Sequence, residues 1–432
     1  MLRSLDNNHL LAIDSADLKL FRNIKEIKLS QKNTYATLSI GGEVREQLRY
    51  FNNLNFGDAN PTWDFYIQQR YMLHADLSIN KYLRLFTQLN STNVNWKNSV
   101  TAKDKEKLDF MQAFLDIRIA GLHSNLRFGR QELQYGAERI LGPDDGPNNR
   151  QTFDGIKYTL NTKKFVGDLA LVRPVVVKPE MFDNDWSSNR LIPIGYVIIS
   201  LPYKSLINIY YFGDYQKAVS PEGANITNKR HSIGARLSKS SGSLYYDIEG
   251  TLQRGTYYEQ NIRGWQITVI PGYRWRDVPL SPNFQFRVSI YSGNKDTTDN
   301  QINSFIAISA KPTINDLLSV GPTNMILLAP KGAIEITSRL DFFLTWFVIW
   351  RLRNTDGLYS KYMETMTRPI DKPGQNLGLY VATGPTAELA YNFGKHFNIL
   401  FQTGIFFPGN YIKNTGVGKN VQAVALKTYY RF

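Results

Sequence analysis

Histidines and the hydroxyls beside them are the first places to look for chemistry in this chain. The five histidines, His9, His74, His123, His231 and His396, are scattered. His74 has Ser78 four residues on, and His231 precedes Ser232. Nucleophilic catalysis needs a base within hydrogen-bonding reach of its nucleophile. On an extended strand, positions i and i+4 share a face but lie ~13 Å apart. Neither pair makes a local dyad, and no catalytic residue is assigned. Metal chemistry fares no better, because the chain has no Cys and no His pair at a ligating spacing. Asp144-Asp145-Gly146 and Asp296 with Asp299 have the oxygen donors that Ca²⁺ takes, but aspartate in such stretches is ordinary turn chemistry. Gly416, Gly418 and Lys419 lack the spacing of a phosphate loop. Neither metal nor cofactor is expected.

What is left is a set of charged side chains spread singly through strand-like segments. Glu43, Arg45, Arg49, Arg70, Asp76, Arg84, Asp116, Arg118, Lys157, Arg236 and Arg287 all fall on polar faces, as do Asp247 and Glu249. Rings of Arg and Lys around a water-filled passage favour anions such as carboxylate or phosphate. Interspersed carboxylates would hold the guanidinium groups in ladders. The chemistry on offer is selection of a passing solute.

Those faces come from a period of two. In Phe65 to Asn80, Phe65, Ile67, Tyr71, Leu73, Ala75, Leu77 and Ile79 share one side, with Gln69 the only polar intruder. Gln68, Arg70, His74, Asp76, Ser78 and Asn80 take the other. A slip of one residue would turn Arg70 towards lipid at roughly 2–4 kcal/mol near the midplane, so the register is strongly specified. The pattern recurs in Leu38 to Tyr50, where Glu46 breaks the apolar side. It recurs in Met111 to Ile119, Leu244 to Gln253 and Phe284 to Ile290. These runs outlast the usual strand of 5–6 residues in a soluble sandwich. Turn-rich stretches separate them: 52–62, 142–149, 292–300, 311–331 and 359–376.

Composition agrees. Aromatic residues make up 13% of the 432, led by 25 Tyr and 24 Phe, and tyrosine suits the girdles where a barrel meets headgroups. The formal charge of +14 comes without dense basic runs, which argues against nucleic acid. The strongest apolar run, Phe342 to Trp350, is about half the ~20 residues of a membrane-spanning helix but matches the ~9–11 of a tilted strand. Met1 to Asp6 carries no apolar signal core, so an exported chain would have lost its signal or its reading frame starts elsewhere. At the other end Val424, Leu426, Thr428, Tyr430 and Phe432 alternate with Ala425, Lys427, Tyr429 and Arg431. A closing strand of this kind, ending on an aromatic residue, is what barrel-assembly machinery recognises.

Three segments carry a resemblance. Leu38 to Arg49 (LSIGGEVREQLR) has a Gly-Gly-Glu-x-Arg pattern. Leu126 to Lys157 contains Gly129-Arg130-Gln131-Glu132, Tyr135-Gly136, Arg139 and Phe153-Asp154-Gly155. Phe406 to Asn410 (FFPGN) and Tyr429 to Phe432 close the set. Together they resemble the alginate-export family of outer-membrane proteins. The resemblance implies a monomeric, single transmembrane antiparallel up-and-down β-barrel, all-β, of about eighteen strands, with short periplasmic turns and longer external loops. It also adds Arg130, Glu132, Arg139 and Asp154 to the candidate lining. By parity with Leu126 and Phe128, Arg130 would point outward, and Asp154 shares the parity of Ile156, so both are expected near a strand end or constriction, paired with each other.

The expectation is therefore an N-terminal segment (1–34) followed by a barrel (35–432) in a Gram-negative outer membrane. Its partners would be lipid or lipopolysaccharide, the assembly machinery, and an anionic or polar solute. The function expected is a channel with a charged lumen, with acidic saccharides such as alginate-like polymers as the sharper variant. A lipid hydrolase or acyltransferase barrel, and a non-conducting subunit of a surface complex, are the rival readings. A TonB-linked transporter is disfavoured, because only a short segment precedes the first strand near Leu38.

Overall fold

Alternating polarity resolves into eighteen strands, each pairing antiparallel with its neighbours and the last with the first. This is the computed structural model, and it describes residues 23–30, 36–219, 225–311, 317–318, 320–360, 363 and 366–432. His9, Pro312 and most of the expected N-terminal segment lie outside the described residues. The first six strands are β1 (Thr37–Asn52), β2 (Asp64–Ser78), β3 (Leu83–Asn95), β4 (Glu106–Ile119), β5 (Ser124–Gln131) and β6 (Phe153–Asn161). Then come β7 (Phe165–Val176), β8 (Arg190–Leu201), β9 (Ser205–Val219), β10 (Asn225–Lys239), β11 (Leu244–Tyr257) and β12 (Trp265–Arg274). The circuit is completed by β13 (Asn283–Tyr291), β14 (Met325–Thr337), β15 (Leu340–Arg351), β16 (Tyr380–Phe393), β17 (Phe397–Pro408) and β18 (Val421–Arg431). Closure removes every sheet edge, which a strand in hydrocarbon cannot leave unpaired.

The connections sort into two ends. Tight turns such as 79–82, 120–123, 162–164 and 338–339 lie at one end, with the start of β1 and the finish of β18. The long segments 132–152, 292–324 and 352–379 lie at the other. In outer-membrane barrels the tight turns are periplasmic and the long segments external. At the seam, Glu43 to Asn52 of β1 pair with Arg431 to Gln422 of β18, and Gly42 and Phe432 exchange backbone hydrogen bonds.

Parity holds around the wall. On β1, Ser39, Glu43, Arg45, Gln47 and Arg49 are buried inside, while Leu48 and Tyr50 face out. The outward intruders Glu46 and Gln69 sit opposite each other in register, with Tyr71 donating to Glu46 at 2.8 Å. One expectation fails at Met111, which does not face lipid with Ala113. A bulge between Gln88 and Leu89 shifts the phase of β4, Phe110 takes the outward position opposite Leu89, and Met111 is buried.

The long segments fold inward. Leu133, Ile140 and Leu141 from the first, Phe305 and Leu317 from the second, and Leu358 and Leu377 from the third form one apolar cluster inside the barrel. Phe347 and Ile349 of β15 join it from the wall, which explains why that strand is apolar on both faces. At the tight-turn end, residues 27–28 pair with 37–38 and Lys25 is buried beside His74.

β5 and β6 are short, and their motif glycines explain a local bend. Gly129 and Gly155 are register partners with φ of 121° and 157°. A Cβ on Gly129 would stand 2.3 Å from the Ala113 carbonyl oxygen. Gly129→Ala is expected to destabilise the barrel by at least roughly 2 kcal/mol, from strain at a glycine-only φ plus the clash. Gly332→Ala, where a Cβ meets nothing within 4 Å, is the neutral control. Urea midpoints in micelles, with the folded band followed by electrophoresis without boiling, would check both.

Candidate functional site

The inward faces carry three groups of charges. The first is a row across four strands near the tight-turn end, where Arg84, Asp116, Arg127 and Lys157 are successive register partners. Arg84 donates from Nε and Nη2 to Asp76 at 2.8 Å and from Nη1 to Asp116 at 3.1 Å. Arg127 donates to both Asp116 oxygens at 2.7 and 2.8 Å, and its guanidinium lies 3.6 Å from the Phe114 ring centroid. Lys157 lies 3.6 Å from Asp168. Cross-strand neighbours of alternating sign fix one another's rotamers, which turns the wall into a ladder. Arg118 lies one residue before the end of β4, beyond this row, exposed in a cleft with Lys81, Tyr82 and His123.

The second group, buried except for the partly exposed Asp145 and Arg431, ties the wall to segment 132–152. Arg70 donates to Glu43 at 2.8 Å and to Asp145 at 2.7 Å. Arg45 donates to the carbonyls of Asp145 and Pro147, both at 2.9 Å, and to Asn148 Oδ1 at 3.0 Å. Arg150 reaches Asp145 at 2.6 Å and Glu132 at 3.3 Å, and Arg431 reaches Glu43 at 2.8 Å. Four guanidinium groups thus surround three carboxylates. Arg45 and Arg70 are fully shielded from water, so these predicted lining residues hold the inserted segment in place. Burial by itself would raise the Asp145 carboxyl, but Arg150, Arg70 and Arg45 outweigh it and hold it well below the carboxylate range.

The third group lies on the far wall. Arg139, carried across by the same segment, bonds Asp247 at 3.1 and 3.2 Å and makes a short contact with Glu249. Arg236 bonds Asp247 at 2.8 and 3.0 Å. Arg287 donates to Ser289 at 2.8 Å and to Tyr291 at 3.3 Å. Arg49 faces a separate external cavity with Phe51, Tyr66, Lys97 and Leu317.

Arg130 and Asp154 are corrected as lining residues. They pair with each other at 2.9 and 3.1 Å at a strand end, but on the outer side of the wall. Arg130 also donates to Asp109 and to the Asn184 carbonyl. The reason is geometric: β5 and β6 stop short, and segment 177–189 folds back over the gap. Lys107 donates to the Pro179 carbonyl there, and 185–186 pair with 175–176. The ion pair is covered by that flap and meets no lumen.

Sequence reasoning missed Arg127, Asp145, Arg150 and Asp168. Arg127 alternates with Leu126 and Phe128, so parity alone places it inside. Asp145 and Arg150 sit in a turn-rich stretch whose inward course has no local signature.

The family model for alginate export matches residues 36–425. The chain belongs to the alginate-export family. No curated protein matches its sequence. Among solved structures, this alginate-export family barrel is similar in fold to a BenF-like porin from Pseudomonas fluorescens Pf-5, with a TM-score of 0.64 and 10% identity, over 91% of this chain and 98% of that one. Pseudomonas aeruginosa OpdO gives 0.62 and 10%, over 91% and 97%. Pseudomonas aeruginosa OccK2 (OpdF), solved in complex with glucuronate, gives 0.59 and 13%, over 91% and 98%. The protein is an outer-membrane β-barrel of the porin type, and its family and structural neighbours are channels, not enzymes.

Two outcomes follow for the inserted segment. Arg70→Ala removes one guanidinium partner from both Glu43 and Asp145, leaving Arg431 on the first and Arg150 on the second, and should cost about 1–3 kcal/mol. The segment would loosen, seen as larger or noisier single-channel currents and faster tryptic cleavage at Arg139 or Arg150. Because the Asp145 pKa is depressed, its contribution is full above the ordinary value of 3.8 and is lost as pH falls from there towards the folded value. Asp145 should therefore hold the segment equally well between about pH 5 and about pH 8 and release it only on stronger acidification. Asp145→Asn should leave the conductance change below about pH 5 smaller than in the wild type, which current recordings across that range would check.

Proposed function

We propose that this barrel is a diffusion channel for small anionic and polar solutes, with uronate-sized carboxylates as the class that fits best. The row Arg84–Asp116–Arg127–Lys157 carries the reading. It lies on the inner wall, its three cations are held by Asp76, Asp116 and Asp168, and Arg84 and Lys157 keep 12% and 15% exposure where Arg45 and Arg70 have none. A carboxylate passing such a row exchanges water for guanidinium and ammonium donors already held in position by Asp76, Asp116 and Asp168. Charges beyond a Debye length of ~8 Å are screened, so selectivity belongs to these wall residues and not to the formal charge of the chain. The glucuronate bound by OccK2 is a property of that channel, and it makes uronic acids the first solutes to try here.

A polymeric uronate is the second reading, favoured by the family description. Its passage requires displacement of the inserted segments 132–152, 292–324 and 352–379, which pack together inside the wall.

In planar bilayers the purified protein should give discrete open levels with anion preference, and millimolar glucuronate should reduce the open current. Arg127→Ala combined with Lys157→Ala should lower the anion-to-cation permeability ratio about twofold or more, read from reversal potentials in a salt gradient. A barrel that never conducts, or whose reversal potential ignores both substitutions, would sink the reading.

A further inference from the structure

The outer wall is not chemically uniform, and its external rim on β9 to β11 differs from the rest. Register places Tyr211 opposite Ile233 and Ile233 opposite Leu252. On this face Ile209, Ile233 and Leu252 are 50%, 59% and 58% exposed, which marks the hydrocarbon zone. One step towards the external end, His231 is the partner of Arg254, and one step further Lys229 is the partner of Thr256 and Tyr215. Lys229 and Arg254 are exposed and diagonal to each other, a separation of about 7–8 Å between backbones that two long side chains can bridge onto one group. The site has an ordered centre. Tyr211 Oη lies 3.0 Å from Tyr215 Oη and 2.8 Å from His231 Nδ1, and the His231 ring packs edge-on against Tyr215 at 5.5 Å.

Sign is the second observation. Among the described residues, the outward positions of β8 to β12 carry no Asp or Glu. The opposite side of the barrel differs, because Glu46 stands on the outer face of β1 beside Gln69 and Tyr71. Among the described outward strand positions this cationic patch has no acid beside it, and it stands directly above exposed isoleucine and leucine, which together suit a ligand with an anionic head and acyl chains.

We propose that the rim formed by Lys229, His231 and Arg254 is a docking site for a phosphorylated glycolipid of the external leaflet. Arg254 and Lys229 clasp one phosphate. His231, oriented through Nδ1 by Tyr211, presents the rest of its ring at the same level, and acyl chains lie along Ile209, Ile233 and Leu252. Arginine offers two parallel donors to a phosphate and lysine a mobile point charge, so the pair accommodates more than one headgroup orientation. The site is independent of the lumen and of any solute that passes through it.

The test uses the full-length protein in detergent, titrated with diphosphoryl lipid A and, separately, with the same lipid after enzymatic dephosphorylation. Bound lipid is counted by native mass spectrometry. Lys229→Ala with Arg254→Ala should weaken diphosphoryl lipid A binding roughly tenfold to thirtyfold, while binding of the dephosphorylated form stays as it is. Arg254→Lys should restore part of the loss. Lys239→Ala, at the tight-turn end of β10, should have no effect. An unshifted folded band without boiling and unchanged conductance show that the variants still form the channel. Equal affinity of wild type and double variant, equal affinity for the two lipids, or an equal loss in Lys239→Ala would each overturn the proposal.

Discussion

Every strand of this protein separates two solvents, and that constraint governs the rest. An apolar residue facing lipid and a polar one facing the interior must alternate for as long as the strand lies in hydrocarbon. The closed hydrogen-bond ladder then leaves no backbone group for lipid to strip of its partner. The circuit from β1 to β18 follows from this, and so does the seam at which Gly42 and Phe432 exchange hydrogen bonds. Where the rule is broken, the break is answered locally. Glu46 and Gln69, both on the wrong side, are register partners and share hydrogen bonds with Tyr71. Arg130 and Asp154, also on the outer side, neutralise each other beneath the flap 177–189.

The interior is two environments in one cylinder. Towards the external end it is a protein core, with Leu141, Phe305 and Leu358 packed against Phe347 and Ile349. Towards the tight-turn end it is a polar wall ordered by salt bridges between neighbouring strands. The network of Glu43, Arg45, Arg70, Glu132, Asp145 and Arg150 joins the two. Buried ion pairs add little net stability, but losing one partner is costly, so such a network specifies where an inserted segment sits. This separates two settings for inward charges: Arg45 and Arg70 are fully shielded and hold protein, while Arg84 and Lys157 keep 12% and 15% exposure on the wall.

Similarity to BenF-like and Occ channels at 10–13% identity shows how little of a barrel's sequence its fold requires. Strand number, alternation and closure can be met by many residues. Inserted segments and rim chemistry are free to diverge within that frame, and those parts distinguish one channel from another.

The lipid and lumen faces of the long strands were determined by the sequence alone, because a period of two has only two registers and one of them drives Arg70 into lipid. The pairing of Arg130 with Asp154 was also legible, since both share outward parity near motif glycines. Three things were decided only by the tertiary structure. The bulge at Met111 depends on a mismatch between β3 and β4 that neither strand encodes alone. The side on which Arg130 is covered depends on how far β5 and β6 extend and on segment 177–189 folding back. Capture of the lumen charges by Asp145 and Arg150 depends on a turn-rich segment crossing the barrel. Parity is a local property of a strand, whereas the partner of a side chain is set by whatever distant segment fills the space it points into.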